Sequence, residues 1–404
     1  MILNQPFKGL RVLDFTHIYA GPFATYQLGI LGAEIIKIEP PDSPDAMRDH
    51  GVEESANGEG LGSSYIFNNQ GKKAVSINLS MEEGLKIAIK LVESADVLVE
   101  NYSSGLAKLG LGPEDSMAVN PELIYCEMSG FGFGEDDRYA HRPAYDPVIQ
   151  AFSGMMSLNG ESDQPFLRVG PPLIDYGTGA QAAFAISAAL FQRTQTGKGQ
   201  HIQVNMVDAA MMMMSPQIGN AMQAGQTDKR TGNVQTNLPG YAVFPCKNGN
   251  IMLGIFTVKQ HVKLFNLLAL NQNPEVPDDI DKHWLAQNGD RIRHIILKKL
   301  ETLDAAEWEL FFNQHDIPAA RIRDLYSMLE TDQLGRAESS QFQRIENNPL
   351  TMPIAAFNYA TGGPSLEMHC ARHGEDTRDV LTDLGYANAE LEELENTGAI
   401  YCQE

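Results

Sequence analysis

The chain is short of positive charge. Its 404 residues carry 30 Lys+Arg against 52 Asp+Glu, a formal net charge of −22. Such a surface repels nucleic acid and anionic membranes, so an anionic ligand needs a local cluster of cations. Cysteine is scarce as well. Cys126, Cys246, Cys370 and Cys402 lie far apart without C-x-x-C spacing. That argues against a disulfide frame or a thiolate zinc site and for reduced thiols in the cytoplasm. Long apolar runs are missing. The longest, Ala182 to Phe191, has ten residues with Ser187 among them, about half of the roughly 20 that span a bilayer. No basic region followed by an apolar stretch opens the chain, which again points to the cytoplasm. Nor is there a G-x-x-x-x-G-K-[ST] loop or an H-E-x-x-H motif, so P-loop and zincin chemistry have no support and no metal is expected.

What is present suits a globular α/β protein. Hydrophobic residues make up 43%, and the length suggests two or three domains. Arg11 to Phe15 reads as a buried strand, Phe23 to about Leu31 as a helix, and Glu34 to Glu39 as a second strand. Strand–helix–strand implies parallel strands with a right-handed crossover. The pattern recurs. Ser80 and Glu83 have the spacing of a capping box before a helix carrying Leu85, Ala88, Ile89 and Val92. Strands follow at 97–99 and 123–128, then an Ala-rich helix from about Thr178 to Gln195 and a strand at 202–206. Alternation of this kind predicts an open, mostly parallel sheet over residues 1–205. Residues 206–235 read as a linker and 236–330 as a smaller α+β domain, with a hairpin at Tyr241–Ile255 and a capping box at Asp304 and Glu307. A second linker is expected at 331–353, and two helices near 375–398, broken at Gly385-Tyr386.

Ligands of such sheets sit outside the carboxyl ends of the strands. Here those ends are Thr16-His17, Glu100-Asn101 and the stretch Ser129–Gly134. Glu39 imitates the ribose-binding acid of a dinucleotide site. Without a G-x-G-x-x-G fingerprint, an NAD(P)-dependent dehydrogenase is the weaker reading. His17 is either bonded to backbone or a ligand contact. Arg48, Lys72, Lys73, Lys108 and Arg142 are solvated cations or, together, phosphate donors. The run Gly170-Pro-Pro-Leu-Ile-Asp175-Tyr-Gly-Thr-Gly179 puts a carboxylate among prolines and glycines before a helix. Asp175 either caps that helix or, kept ionised by the helix end, serves as a covalent nucleophile, with the glycines leaving room for an electrophile. Amides around Gly177 to Gly179 are candidate oxyanion donors.

The residues resemble the family III coenzyme A transferases, which include formyl-CoA transferase, carnitine CoA-transferase and the α-methylacyl-CoA racemases. The resemblance covers nearly the whole chain. It is carried by GLRVLDFTHIYAGPFATYQLGILGAEIIKIEPP (Gly9 to Pro41), NNQGKKAVSINLS, ADVLVENYSSGLAKLGLG, NPELIYCEMSGFGFGED, RPAYDPVIQAFSG, IDYGTG, TGKGQHIQVNMVDAA and GEDTRDVLTDLGY. It implies a Rossmann-like large domain built from the N-terminal half plus residues 354–404, with the smaller domain inserted, and a homodimer of interlocked rings. It implies Asp175 as the catalytic aspartate. His17, Ile18 and Ala20 would contact coenzyme A. Lys73, Asn101, Tyr102 and Lys108 fall on or near further contacts, and Arg48, Lys72 and Arg142 join them as phosphate candidates. Tyr145 and Asp146 match a tyrosine and an acid beside the site, and Gln150 is placed in the substrate pocket. Coenzyme A would be a substrate and no cofactor would be bound permanently. Three departures stand out. Pro40 replaces an arginine of some members, which leaves Arg48 or another cation as the substitute. The segment Gly105–Leu109 is one residue short. The nearest match to a glycine-run gate is Leu238-Pro239-Gly240. The racemases have a histidine where Tyr145 stands. A tyrosine, of reference pKa about 10, is a poor base near neutral pH, so the expected reaction is transfer. His141, four residues away, keeps racemisation as the alternative.

Overall fold

The computed structural model describes residues 5–102, 105–133, 138–140, 142–277, 279–330, 342–344, 351–366 and 369–403. His141, Gly134 and most of the expected 331–353 linker lie outside them.

Six strands run parallel: β1 (Arg11–Phe15), β2 (Glu34–Glu39), β3 (Lys73–Ile77), β4 (Val97–Glu100), β5 (Ile124–Ser129) and β6 (Gln200–Asn205). Their order is β3-β2-β1-β4-β5-β6. The chain reverses direction across the sheet between β1 and β4, and there the carboxyl ends open a crevice. Alternation along each strand makes two cores. Leu13, Ile36, Val75, Leu98 and Tyr125 face one side, against Ile87, Leu91 and Val92 of the helix Glu82–Glu93. Val12, Ile35, Val97, Ile124 and Cys126 face the other. That second face is covered by the helices Ala20–Gly29 and Leu173–Thr196 through Ala24, Leu28, Ala182 and Ile186.

The chain forms two compact units. The larger comprises Met1–Met155, Arg168–Gln223 and Arg336–Glu404; the smaller comprises Met156–Leu167 and Ala224–Gly335. The smaller holds an antiparallel sheet of β7 (Tyr241–Pro245), β8 (Asn250–Gly254) and β9 (Ala319–Arg321). Its core includes Phe244, Leu253, Phe265, Ile296, Trp308 and Phe312. Arg230 fastens the Met156–Leu167 segment to this unit. Its guanidinium donates to the carbonyls of Asn159, Ser162, Gln164 and Pro165 and stacks on Phe166. In the larger unit, β10 (Phe342–Arg344) pairs with β11 (Thr351–Pro353). The tail strand β12 (Ile400–Tyr401) runs antiparallel to β3 and closes that edge of the main sheet.

Some local expectations need correction. Residues 206–235, read as a linker, carry the helices Met206–Met213 and Ser215–Ala224. The first helix begins at Ala20, not Phe23, because Pro22 fits a first turn. Ser80 makes no capping box; its hydroxyl donates to Asn78 and the N-cap is Met81. The boxed Asp304 and Glu307 form as read. Among the described residues, no helix is long and apolar enough to cross a membrane.

Candidate active site

Two hollows lie at the carboxyl ends of the strands. The first, about 630 Å³, is lined by His17, Ile18, Tyr19 and Ala20 after β1, Asn101 after β4, and Ser129 and Gly130 at the end of β5. Arg142, Tyr145 and Asp175 complete its wall with Met128, Thr178 and Met206. The second, about 600 Å³, is mostly apolar. Phe15, Ile38, Pro40, Ile77, Leu79, Leu106, Leu109 and Tyr102 line it. The two are neighbours, since the rings of His17 and Tyr102 touch at 4.9 Å.

Asp175 does not precede its helix. The helix starts at Leu173 with Pro172 as N-cap, and Asp175 is its third residue. The cap comes from another helix. Asp146, first residue of the helix Asp146–Phe152, accepts the amide N–H of Ile174 at 2.7 Å and of Asp175 at 3.2 Å through Oδ2. Its other oxygen accepts from Gln150, whose Oε1 receives the Val169 amide at 2.8 Å. Asp146 and Gln150 are therefore buried braces behind the cleft and not part of its lining. Burial, followed by the Asp146 carboxylate, pushes Asp175 up to about 7. The expectation of a fully ionised carboxylate is thus corrected: the helix end is already capped by a second anion. Near neutrality Asp175 exists in both forms, with a carboxylate more basic than an exposed one.

Gly177 and Gly179 lie inside the same helix, so their amides bond to carbonyls four residues back and are not free for an oxyanion. Their role is close packing. A Cβ on Gly179 would sit 2.5 Å from the Ala20 carbonyl oxygen, and one on Gly177 would overlap Met213. The Gly179 approach brings the Ala20 loop beside Asp175.

The expected cations separate sharply. Arg48 is buried and grips Glu39 with two bonds, Nε at 2.8 Å and Nη2 at 2.6 Å, while Nη2 also donates to the Tyr65 hydroxyl. It is spent inside the fold and does not replace the arginine missing at Pro40. Glu39, in turn, is not a free ribose acceptor. Lys72 is buried against Asp14 at 2.8 Å, the Pro22 carbonyl and Thr25. Lys73 pairs with Glu34 at 2.6 Å; both open their parallel strands, so they sit at the amino edge, away from the crevice. Lys108 ends the short helix Gly105–Lys108, exposed next to lining residues of the second hollow. Only Arg142 lines the first. Pro239 and Gly240 belong to the smaller unit, where the Gly240 amide donates to His261 and a Cβ there would press on Ile255.

Asn101 braces the loop and also lines the cleft. Its side chain takes both backbone groups of His17, the N–H at Oδ1 and the C=O at Nδ2, each at 3.0 Å. Burial lowers the pKa of His17, which favours a neutral ring. Sequence reasoning missed Tyr19, Thr178 and Met206 in the wall, and Lys37 and Asp45 beneath it. Nothing local marks those two; only the fold brings them under the loop.

Comparison with known proteins identifies relatives of this chain. The profile of CoA-transferase family III matches residues 7–377. A succinate–glutarate CoA-transferase of Agrobacterium fabrum is 31% identical over 416 aligned positions, covering 98% of each chain. An acetyl-CoA:oxalate CoA-transferase of Acetobacter aceti is 33% identical over 322, covering 79% of this chain and 81% of that one. The crystal structure of a CaiB/BaiF family protein from Brucella suis superposes with a TM-score of 0.82 at 26% identity, over 94% of this chain and all of that one.

Proposed function

Because the chain belongs to CoA-transferase family III, we propose that it moves coenzyme A from an acyl-CoA to an acceptor carboxylic acid by covalent catalysis at Asp175. The observation that carries the reading is a carboxylate in an open cleft whose pKa is raised to about 7 by burial and an anionic neighbour. A carboxylate of that basicity is ionised in part at neutral pH and is a better nucleophile than an ordinary one.

The steps balance without ATP or metal. The Asp175 carboxylate attacks the donor thioester carbonyl, giving a mixed anhydride and CoA thiolate. The thiolate attacks the aspartyl carbonyl; the donor acid leaves as a carboxylate and coenzyme A stays as an aspartyl thioester. The acceptor carboxylate attacks that thioester and expels thiolate again. The thiolate then attacks the acceptor carbonyl of the new anhydride, releasing the new acyl-CoA and restoring Asp175.

The second hollow offers an apolar slot at strand ends, suited to a flat nucleotide base, and the His17–Tyr102 contact joins it to the reacting cleft. Arg142 is the cleft's sole lysine or arginine among the described lining residues. We assign it to a substrate carboxylate, not to a phosphate. That favours short dicarboxylic acids, as the names of the Agrobacterium and Acetobacter relatives suggest for them. A second copy of the chain would cover exposed Phe184, Phe191, Met212 and Met222, in an interlocked homodimer. Free thiols suit a cytoplasmic location.

The test is incubation with a panel of acyl-CoAs and carboxylic acids in deuterated water. New acyl-CoA only when a second acid is supplied supports transfer. Deuterium at the α-carbon with no acceptor would instead indicate the racemase chemistry.

A further inference from the structure

We propose that Asp45 is a positioning residue that clamps the Ile18 amide and so holds the cleft loop in a left-handed turn. This rests on reading that loop as a coenzyme A contact. Ile18 has φ +71, a region that a β-branched residue avoids and glycine enters freely. Ile18 lines the cleft between His17 and Tyr19, so the strain sits where the proposed ligand binds. Something must hold it there.

Lys37, Asn101 and Asp45, all from outside the loop, help to do so. Lys37 on β2 donates to the Thr16 carbonyl at 2.7 Å. Asn101 takes both backbone groups of His17. The Asp45 carboxylate accepts the Ile18 N–H, at 3.3 and 3.2 Å to its two oxygens. Asp45 is itself fixed. It accepts Lys37 Nζ at 3.1 Å and the Met47 amide at 3.0 Å, and its own amide donates to Glu39 at 3.0 Å. Glu39 is locked by Arg48. Arg48, which cannot reach a phosphate, thus acts through Glu39 and Asp45 on the loop that lines the cleft. Asp45 is absent from the lining itself, so it reaches the cleft through the Ile18 amide directly and, by way of Lys37, through the Thr16 carbonyl.

The experiment measures coenzyme A binding by calorimetry on the full chain, for the wild type, Asp45→Ala, Ile18→Gly and the double variant, with melting followed separately. Asp45→Ala should weaken binding by at least about tenfold, and by no more than about twofold once Ile18→Gly is present, because glycine holds a positive φ unaided. Asp45→Asn, which keeps one acceptor, should fall between. The drop in melting temperature should be alike in both backgrounds. Equal loss of affinity in both backgrounds overturns the clamp, as does unchanged affinity in a folded Asp45→Ala chain. Amide exchange in the wild type decides independently of any variant. The Ile18 amide should exchange at least about a hundredfold slower than an unbonded amide, and exchange at the free rate overturns the proposal. If the wild type binds no coenzyme A, the functional reading fails and this exchange rate alone judges the clamp.

Discussion

Two sets of buried carboxylates share the carboxyl end of one sheet and titrate in opposite directions. Asp14 and Glu39, beneath the loop after β1, are 0% and 2% exposed; Asp175 is 8% exposed. Burial raises all three. At Asp14 it is outweighed by Lys72 and Lys37, and at Glu39 by the two-bonded Arg48, so both fall to about 2. Asp175 has an anion, Asp146, as its charged neighbour and rises to about 7. Depth does not separate the sets; the sign of the neighbour does. A carboxylate with a buried cation is fixed as part of the scaffold. One denied a cation keeps a lone pair basic enough for chemistry.

The largest effect is expected at Asp175. Asp175→Ala should cost on the order of 10⁴-fold or more in transfer rate while coenzyme A binding stays within about threefold. A retained rate removes Asp175 from the reaction. Next in size is Asp14→Asn, which leaves buried Lys72 without its counter-charge. It should destabilise the fold by about 3–5 kcal/mol, seen in denaturant melts. Asp175→Asn should do the reverse. A carboxylate whose folded pKa lies above its unfolded value favours the fold at low pH, and that advantage is lost as pH rises through the folded value. Removing the charge should therefore stabilise by up to about 4 kcal/mol at pH 8, fading towards pH 4. Stability unchanged across that range would refute the raised pKa. The smallest effect sharpens the role of the neighbour. In the wild type, kcat/KM should climb with pH through about 7. Asp146→Asn should move that inflection down by less than about one unit, since burial is the larger cause.

Much of this was legible in the sequence because it is local. Alternating strands and helices gave the parallel sheet, and Asp304 with Glu307 gave a cap that forms. Asp175 stood out by its prolines and glycines. What escaped was set by distant partners. Asp175 looked like the start of a helix because the true start at Leu173 is capped from 28 residues away, by Asp146 on Ile174. Lys72 and Arg48 looked like phosphate donors because nothing in the sequence announces that Asp14, on β1 two strands from β3, takes up the first and Glu39, nine residues earlier, the second. Gly177 and Gly179 looked like space for a substrate, whereas the fold uses them for helix packing. Charge in a sequence shows supply, and only the fold shows how it is used.

Asp175, which has no cation paired to it among the described residues, should become covalently loaded. Mixing the protein with an acyl-CoA, quenching in acid and mapping peptides by mass tests it. The peptide containing Asp175 should carry a coenzyme A thioester, discharged when an acceptor acid is added. An unmodified Asp175 in a preparation that transfers at full rate, or the adduct on another residue, would contradict it.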